Sequence, residues 1–192
     1  MITMLAGLVL FIGGHSLRLF APGWRQSQID RLGERGWKIL FSLESFLGFG
    51  LIVWGFAQMR AETVVIYQTP DWMKHVTIAF AFIGFILFAA ARVPNNIFKA
   101  KLGHPMVAGV KSWAFGHLLA NGRLHDLILF GSLLLWSIAS FALSRRRDRK
   151  AGIAWPAASL RGTIITILGG LLVGFIFVKF LHGPLIGVYP MG

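Results

Sequence analysis

Long apolar runs constrain this chain more than any other feature of its sequence. They approach the ~20 residues that a helix needs to cross a bilayer, and the mean hydropathy of +0.69 is far above that of a soluble domain. Since every backbone N–H and C=O must find a partner inside lipid, such runs form helices. The sequence therefore predicts an all-α, polytopic membrane bundle of about six transmembrane helices, at Ile2–Phe20, Trp37–Gln58, His75–Arg92, His104–Asn121, Leu124–Ser144 and Arg161–His182.

The basic residues are unevenly shared between the two sides of the membrane that these spans define. The connections on one side carry most of the Lys and Arg residues, whereas those on the other side carry Arg60, Lys74 and Arg123. The positive-inside rule then predicts that both termini lie outside and that the basic loops face the cytoplasm. Contact between these loops and anionic headgroups accounts for the net charge of +12, so the lipid bilayer is a predicted partner and nucleic acid is not.

The connections between the spans are short. The first basic loop, APGWRQSQIDRLGERG, mixes apolar and basic side chains in the way of a short helix lying at the membrane surface, and SRRRDRK is typical of a solvated cytoplasmic loop. No connection is long enough to fold separately, which predicts a single domain over residues 1–192. The chain contains no cysteine, so disulfides, iron–sulfur clusters and covalent C-x-x-C-H haem attachment are excluded.

Polar side chains inside the predicted spans fall into two layers by depth. The inner layer holds His15, Glu44, His104 and Lys111, and the outer layer holds His117, Asn121, Lys179 and His182. A charged group at mid-bilayer costs about 2.5–3.5 kcal/mol on insertion scales, so such groups pair or serve a function. A Glu44–Lys111 ion pair and snorkelling of Lys179 to the surface are the alternatives to a functional site. Glu44 shares a helix face with Gly48 and Gly55, which predicts that it points into the bundle.

Histidine is the residue in these layers that carries the most chemistry. Neutral imidazole is the commonest metal ligand, and two axial histidines from facing helices can hold a b-type haem. His15 and His104 come from different spans at similar inner depth, as His117 and His182 do at the outer depth. Their spacing forms no tight ligand motif, and hydrogen-bonded packing is the alternative role. We hypothesise that at least two of these histidines coordinate haem iron.

Several stretches of the chain together resemble one family. The stretches HPMVAGVKSWAFGHLLANG, GGHSLRL, IDRLGERGWKILFSL and FLHGPLIGV are similar to motifs of the NnrU family of bacterial inner-membrane proteins, which is linked to denitrification. That family is homologous to the plastid 15-cis-ζ-carotene isomerase. His15, His104, His117 and His182 each fall within one of these stretches. The resemblance covers most of the chain and implies a multi-pass protein of the bacterial inner (cytoplasmic) membrane.

The resemblance also implies a non-covalent haem b. The carotene isomerase is a haem b enzyme that converts a central cis double bond to trans, so isomerisation, or a redox step on a hydrophobic or small substrate, is expected here. His15 matches one axial ligand of the isomerase. The other ligand lies in a region that reads FGSLLLWSIAS here, with Trp136 near the expected position. His104 and His117 are therefore the candidates for the second metal ligand, unless this member binds haem differently or not at all.

The remaining candidate residues support this hypothesis. His15, His104 and His117 are candidate catalytic residues as well as metal ligands, and the predicted cofactor-binding set adds His182, Glu44, Lys111 and Asn121. Two other functions stay open. One is a non-catalytic membrane factor that supports nitrite and nitric oxide metabolism, and the other is an electron carrier between a quinone and a redox partner.

Overall fold

A computed structural model describes residues 1–191 of the chain. These residues form eight α-helices and one π-helical segment, joined by short loops. The helices are α1 Ile2–Phe20, α2 Pro22–Ala61, α3 Met73–Arg92, α4 Ile97–Leu102, α5 Pro105–Ala120, α6 Leu124–Lys150, α7 Leu160–Ile176 and α8 His182–Ile186, with the π-helical segment Phe177–Leu181 between the last two.

The prediction of an all-α polytopic membrane protein is confirmed. Across residues 1–191 there is no β-strand, and Val65 and Arg123 form an isolated antiparallel bridge. Within the same residues, five helical segments are long and apolar enough to cross a membrane: α1, α2, α3, α6 and Leu160–Ile186. The remaining predicted span, His104–Asn121, is the 16-residue α5. At a rise of 1.5 Å per residue it is about 24 Å long, which is less than the hydrocarbon thickness of about 30 Å.

The chain divides into two compact units. Unit 1 comprises Met1–Ile66 and Arg123–Ser132, and unit 2 comprises Tyr67–Gly122 and the described chain from Leu133 onward. Helix α6 contributes its first residues to unit 1 and the rest to unit 2. The prediction of a single domain over residues 1–192 stays a prediction.

Unit 1 is built on the close packing of α1 against α2. Its core consists of Met4, Leu8 and Ile52. Glycines permit the approach of the two backbones: a Cβ added to Gly55 would collide with the backbone of Met4, and one added to Gly7 would lie 2.6 Å from the nitrogen of Ile52. Small residues therefore allow close packing between these helices, as the glycine pattern of the second span predicts.

Helix α2 joins the predicted surface helix to the predicted second span. Pro22 lies at the start of the helix, where a backbone N–H would have no partner within the helix, so the N–H that proline lacks is not needed. Gly33 interrupts it with φ 70° and ψ 161°, a backbone conformation that is essentially restricted to glycine. Helix α2 therefore consists of a surface segment, residues 22–32, and a long segment, residues 34–61, which meet at this kink.

Unit 2 is organised around α3, which packs against α5 and α7. The approach of α3 and α5 again depends on glycine, because a Cβ on Gly109 would lie 3.0 Å from the carbonyl oxygen of Gly84. A hydrogen bond also links the two helices, because the Ser112 hydroxyl of α5 donates to the carbonyl of Phe80 in α3 at 2.9 Å. Interhelical hydrogen bonds of this kind satisfy polar side chains inside an apolar bundle.

The C-terminal end of α5 is held by the loop that precedes α3. The Tyr67 hydroxyl donates to the carbonyls of Leu118 and Asn121, and the Thr69 hydroxyl donates to the carbonyl of Ala120 at 3.0 Å. The last carbonyls of a helix have no N–H partner within the helix. The two hydroxyls therefore replace the donors that the end of α5 lacks.

Candidate functional site

His15 lies in the C-terminal half of α1, on the wall of a cavity in unit 1. Its Nδ1 is 2.7 Å from the carbonyl oxygen of Phe11, one turn earlier in the helix. Because a carbonyl oxygen only accepts, Nδ1 carries the proton and the lone pair of the neutral ring is on Nε2. Metal-ligating histidines commonly donate their second ring N–H to a carbonyl or carboxylate in this way. His15 therefore has the tautomer of a histidine that ligates through Nε2.

The cavity beside His15, called the His15 cavity below, has the size of a cofactor site. Its volume is about 480 Å³, and ligand sites span roughly 300–1,000 Å³. Helix α1 contributes His15 and Arg18 to its lining, the surface segment contributes Arg25, and the long segment contributes Trp37 and Phe41. Since both segments of α2 line the cavity, the glycine kink between them shapes it.

Two aromatic rings, Trp37 and Phe41, form part of the wall of the His15 cavity. The Phe41 ring centroid lies 5.0 Å from that of the His15 imidazole, and the Trp37 ring stacks on Phe41 at 6.5 Å. Trp37 is 7% exposed. The Arg25 guanidinium stands over the Trp37 ring, with its Cζ 5.8 Å from the ring centroid. The wall therefore offers a flat apolar surface with a cation beside it.

Positive charge exceeds negative charge in the lining of the His15 cavity. The charged side chains there are Arg18, Arg25, Lys38 and Glu34. Lys38 and Glu34 are exposed and pair with each other at 2.9 Å. The excess charge of the lining therefore comes from the two arginines. A cavity of this composition suits a flat, mostly apolar ligand that also carries acidic groups.

Glu44 lies beside the turn of α1 that carries His15. Its carboxylate occupies the place where a Cβ on Gly14 would stand, so it faces α1. Among the described residues, its buried Oε2 atom has no hydrogen-bond partner. A buried polar atom without a partner costs roughly 1–3 kcal/mol. A hydrogen-bond donor or a cation placed beside this oxygen would therefore be stabilised.

In unit 2, His104 makes a different kind of contact. It immediately precedes α5, and its Nε2 lies 2.7 Å from the Oδ2 of Asp148 near the end of α6. Asp148 is 4% exposed and also lies 3.4 Å from the Arg147 guanidinium. The Trp155 indole packs edge-on against the His104 ring, with centroids 5.5 Å apart. His104 and Asp148 therefore join the start of α5 to the end of α6.

The burial of Asp148 corrects the prediction that SRRRDRK is a solvated loop. Helix α6 continues to Lys150, and Asp148 lies on the buried side of it. Ser137, Ser140 and Ser144 are also buried, at spacings of three and four residues that lead to Asp148. This helical periodicity of small polar residues is the signal in the sequence that identifies the buried carboxylate.

The outer-layer histidines of unit 2 are bonded through Nδ1, as His15 is. His117 donates to the carbonyl of Trp113 at 2.9 Å, and His182 donates to the carbonyl of Val188 at 2.8 Å. The Asn121 side-chain amide donates to the carbonyl of His117 at 2.8 Å. Both histidines thus carry the lone pair of their neutral ring on Nε2.

The predicted site residues are divided between the two units. Unit 1 contains His15 and Glu44, and unit 2 contains His104, Lys111, His117, Asn121 and His182. The Lys111 ammonium lies over the Phe141 ring, 4.9 Å from its centroid. Within residues 1–191, no group of three His, Cys, Asp or Glu residues could jointly hold a metal ion. A haem iron takes one or two ligands from the protein, and the assignment of these residues to a haem stays a prediction.

Comparison with known proteins identifies the family. The sequence matches the family described as NnrU protein over residues 3–190. No curated protein and no solved structure matches the chain. The family match extends over nearly all of the 192 residues and includes both units and the His15 cavity. The chain therefore belongs to the NnrU family.

Proposed function

We propose that this NnrU-family membrane protein binds a non-covalent haem b in the His15 cavity, where Nε2 of His15 would hold the iron. One observation carries the proposal: a cavity of about 480 Å³ combines a histidine in the required tautomer, aromatic walls and an excess of positive charge. Each of these features corresponds to a part of a haem, which has an iron, an apolar macrocycle and acidic side groups.

The residues of the cavity would divide the binding of the cofactor among them. His15 would supply a nitrogen to the iron, and the Phe11 carbonyl would keep its ring in the ligating tautomer and orientation. Trp37 and Phe41 would pack against the macrocycle. Glu44 does not line the cavity, but its buried carboxylate lies beside Gly14 and would adjust the charge behind the turn of α1 that carries His15.

The proposed reaction is an isomerisation or redox step on a hydrophobic or small substrate, in the bacterial inner membrane. When bound, haem supplies a redox-active iron that can bind small gases or engage a double bond. The chain's own residues would bind and orient the cofactor. Phe11 and Phe41 flank the His15 ring at centroid distances of 4.2 Å and 5.0 Å, which keeps its surroundings apolar.

An absorption spectrum tests the proposal. The protein, expressed with adequate haem supply and purified in mild detergent, should show a Soret band that shifts on reduction with dithionite. His15→Ala should lose the band because it removes the axial ligand. His75→Ala changes an exposed histidine near the start of α3 and should keep the band. A wild-type protein with no Soret band would refute the proposal.

Haem content and turnover also separate the proposed function from its alternatives. A folded protein that binds no haem supports the non-catalytic factor in denitrification. A haem protein that quinol reduces, but that does not convert a cis-carotene, is an electron carrier. Conversion of the carotene establishes an isomerase. Alanine variants of His104 and His117, measured in the same way, test these residues as second ligand and as catalytic residues.

A further inference from the structure

We infer that Arg18 and Arg25 bind acidic groups of the ligand, so that the His15 cavity selects an amphipathic ligand that carries carboxylates. The inference rests on the proposed function, since the carboxylates of a haem are its propionates. Neither arginine belongs to the polar layers that the sequence predicts within the spans. Both line the same cavity as His15.

Glu34 pairs closely with Lys38 and acts on Arg25 only at longer range, so neither Arg18 nor Arg25 has a carboxylate in direct contact among the described residues. Lys38 is already paired with Glu34 at 2.9 Å. Within residues 1–191, Arg18 and Arg25 form no ion pair with a carboxylate. A guanidinium presents a planar fork of N–H donors that matches a carboxylate in two parallel hydrogen bonds. Acidic groups on a ligand would therefore complete the charge balance of the cavity.

Arg25 is held in position without a ligand. Its guanidinium stands over Trp37, whose ring is buried and packs edge-on against Trp24 at 6.0 Å. Stacking on a fixed ring leaves the edge of the guanidinium available for hydrogen bonds, and it reduces the rotamer entropy that binding would otherwise cost. Arg25 is thus preorganised to receive a carboxylate.

Arg18 is placed by the geometry of α1. It follows His15 by three residues, which puts the two side chains on the same face, about 4.5 Å apart along the helix axis. The arginine side chain is long and extends further along that face. His15 can therefore contact the centre of a ligand while Arg18 reaches its edge. Because Arg25 comes from the surface segment of α2, each arginine can hold a separate carboxylate.

The general excess of positive charge in the basic loops accounts for an exposed arginine such as Arg18, but not for the placement of Arg25. Attraction to anionic headgroups favours arginines at exposed positions near the membrane surface. It does not require a half-buried guanidinium over a buried indole on the wall of a cavity, as Arg25 has. The placement of this arginine points to a ligand inside the cavity.

Two haems that differ only in their carboxylates test the inference: haem and haem dimethyl ester. The affinity of each for the purified full-length protein is measured from the Soret band, with His15→Ala as the baseline for uptake by the detergent. A charge-assisted hydrogen bond changes affinity by roughly tenfold or more. The wild-type protein should therefore bind haem at least about tenfold more tightly than the ester.

Arginine variants then locate the source of this preference. Arg18→Gln combined with Arg25→Gln should bind haem no more tightly than the ester, whereas Arg35→Gln, an exposed arginine outside the cavity, should keep the preference. Equal binding of haem and ester by the wild type would overturn this inference and leave the proposed function standing. Binding of neither would overturn both. Because the ester comparison uses wild-type protein, it does not depend on the folding of any variant.

Discussion

His15 and His104 are alike in the sequence and different in the structure. Both are predicted at the inner depth of a span, and each lies in a family-like motif. His15 donates to a carbonyl of its own helix at 2.7 Å and lines a cavity, whereas His104 is bonded at 2.7 Å to the buried Asp148 of another helix. His15 thus lines a cavity that could hold a ligand, whereas His104 links two helices of unit 2.

The two hydrogen bonds also use different ring nitrogens. His15 is bonded through Nδ1 and His104 through Nε2. A metal bound to neutral His104 would have to use Nδ1, the nitrogen nearer the backbone, unless the bond to Asp148 were broken. We therefore expect the two residues to respond to mutation in opposite ways.

The largest expected effect is on haem binding. His15→Ala should abolish the Soret band, because it removes the nitrogen that would hold the haem iron. His104→Ala should keep the band and lower the thermal stability. The measurements are the absorption spectrum and the unfolding temperature of each purified variant. If His104→Ala loses the band while remaining folded, His104 is an iron ligand and the distinction between the two histidines fails.

A second prediction concerns stability in unit 2. Asp148→Ala should destabilise the protein by roughly 1.5–3 kcal/mol, the range for a hydrogen bond to a charged group. Thermal unfolding followed by tryptophan fluorescence is the measurement, since Trp155 packs against His104. Asp71→Ala, at an exposed position before α3, is the matched control and should behave as the wild type does. Equal stability of the two variants would show that the His104–Asp148 bond is not structural.

A third prediction concerns the kink that shapes the His15 cavity. Gly33→Ala should cost about 1–3 kcal/mol, because the backbone at this position suits only glycine. It should also weaken haem binding several-fold. Gly50→Ala, at a helical position with nothing within 4 Å of the added Cβ, should leave both quantities unchanged or slightly raise stability. Isothermal titration calorimetry with haem measures the affinity of each variant, and thermal unfolding measures its stability.

Much of the fold could be predicted from the sequence because apolar length and periodicity determine it. The first helix, Ile2–Phe20, has the predicted boundaries, and the first basic loop is helical as predicted. The kink could not be located, because Gly33 is one glycine among several in that loop. The prediction of a solvated loop at Asp148 was wrong, because it weighed the neighbouring arginines and not the helical spacing of Ser137, Ser140 and Ser144 that leads to this residue.

The candidate site could be predicted only in part. His15 could be identified because histidine is rare inside apolar helices and stands out there. Arg18 and Arg25 could not be identified, because the positive-inside rule already explains basic residues at such positions. Their role depends on a cavity formed by residues from two helices, and no local pattern in the sequence describes that cavity.

The capping of α5 by Tyr67 and Thr69 bears on how unit 2 responds to the thickness of its membrane. A helix that ends in contact with headgroups must tilt or shift when the bilayer thickens or thins. The end of α5 is instead held by hydroxyls of its own unit. We therefore expect its position within unit 2 to change little with the thickness of the bilayer. The hydrogen bonds that His117 makes with Trp113 and Asn121 should therefore be the same in lipids of different chain length.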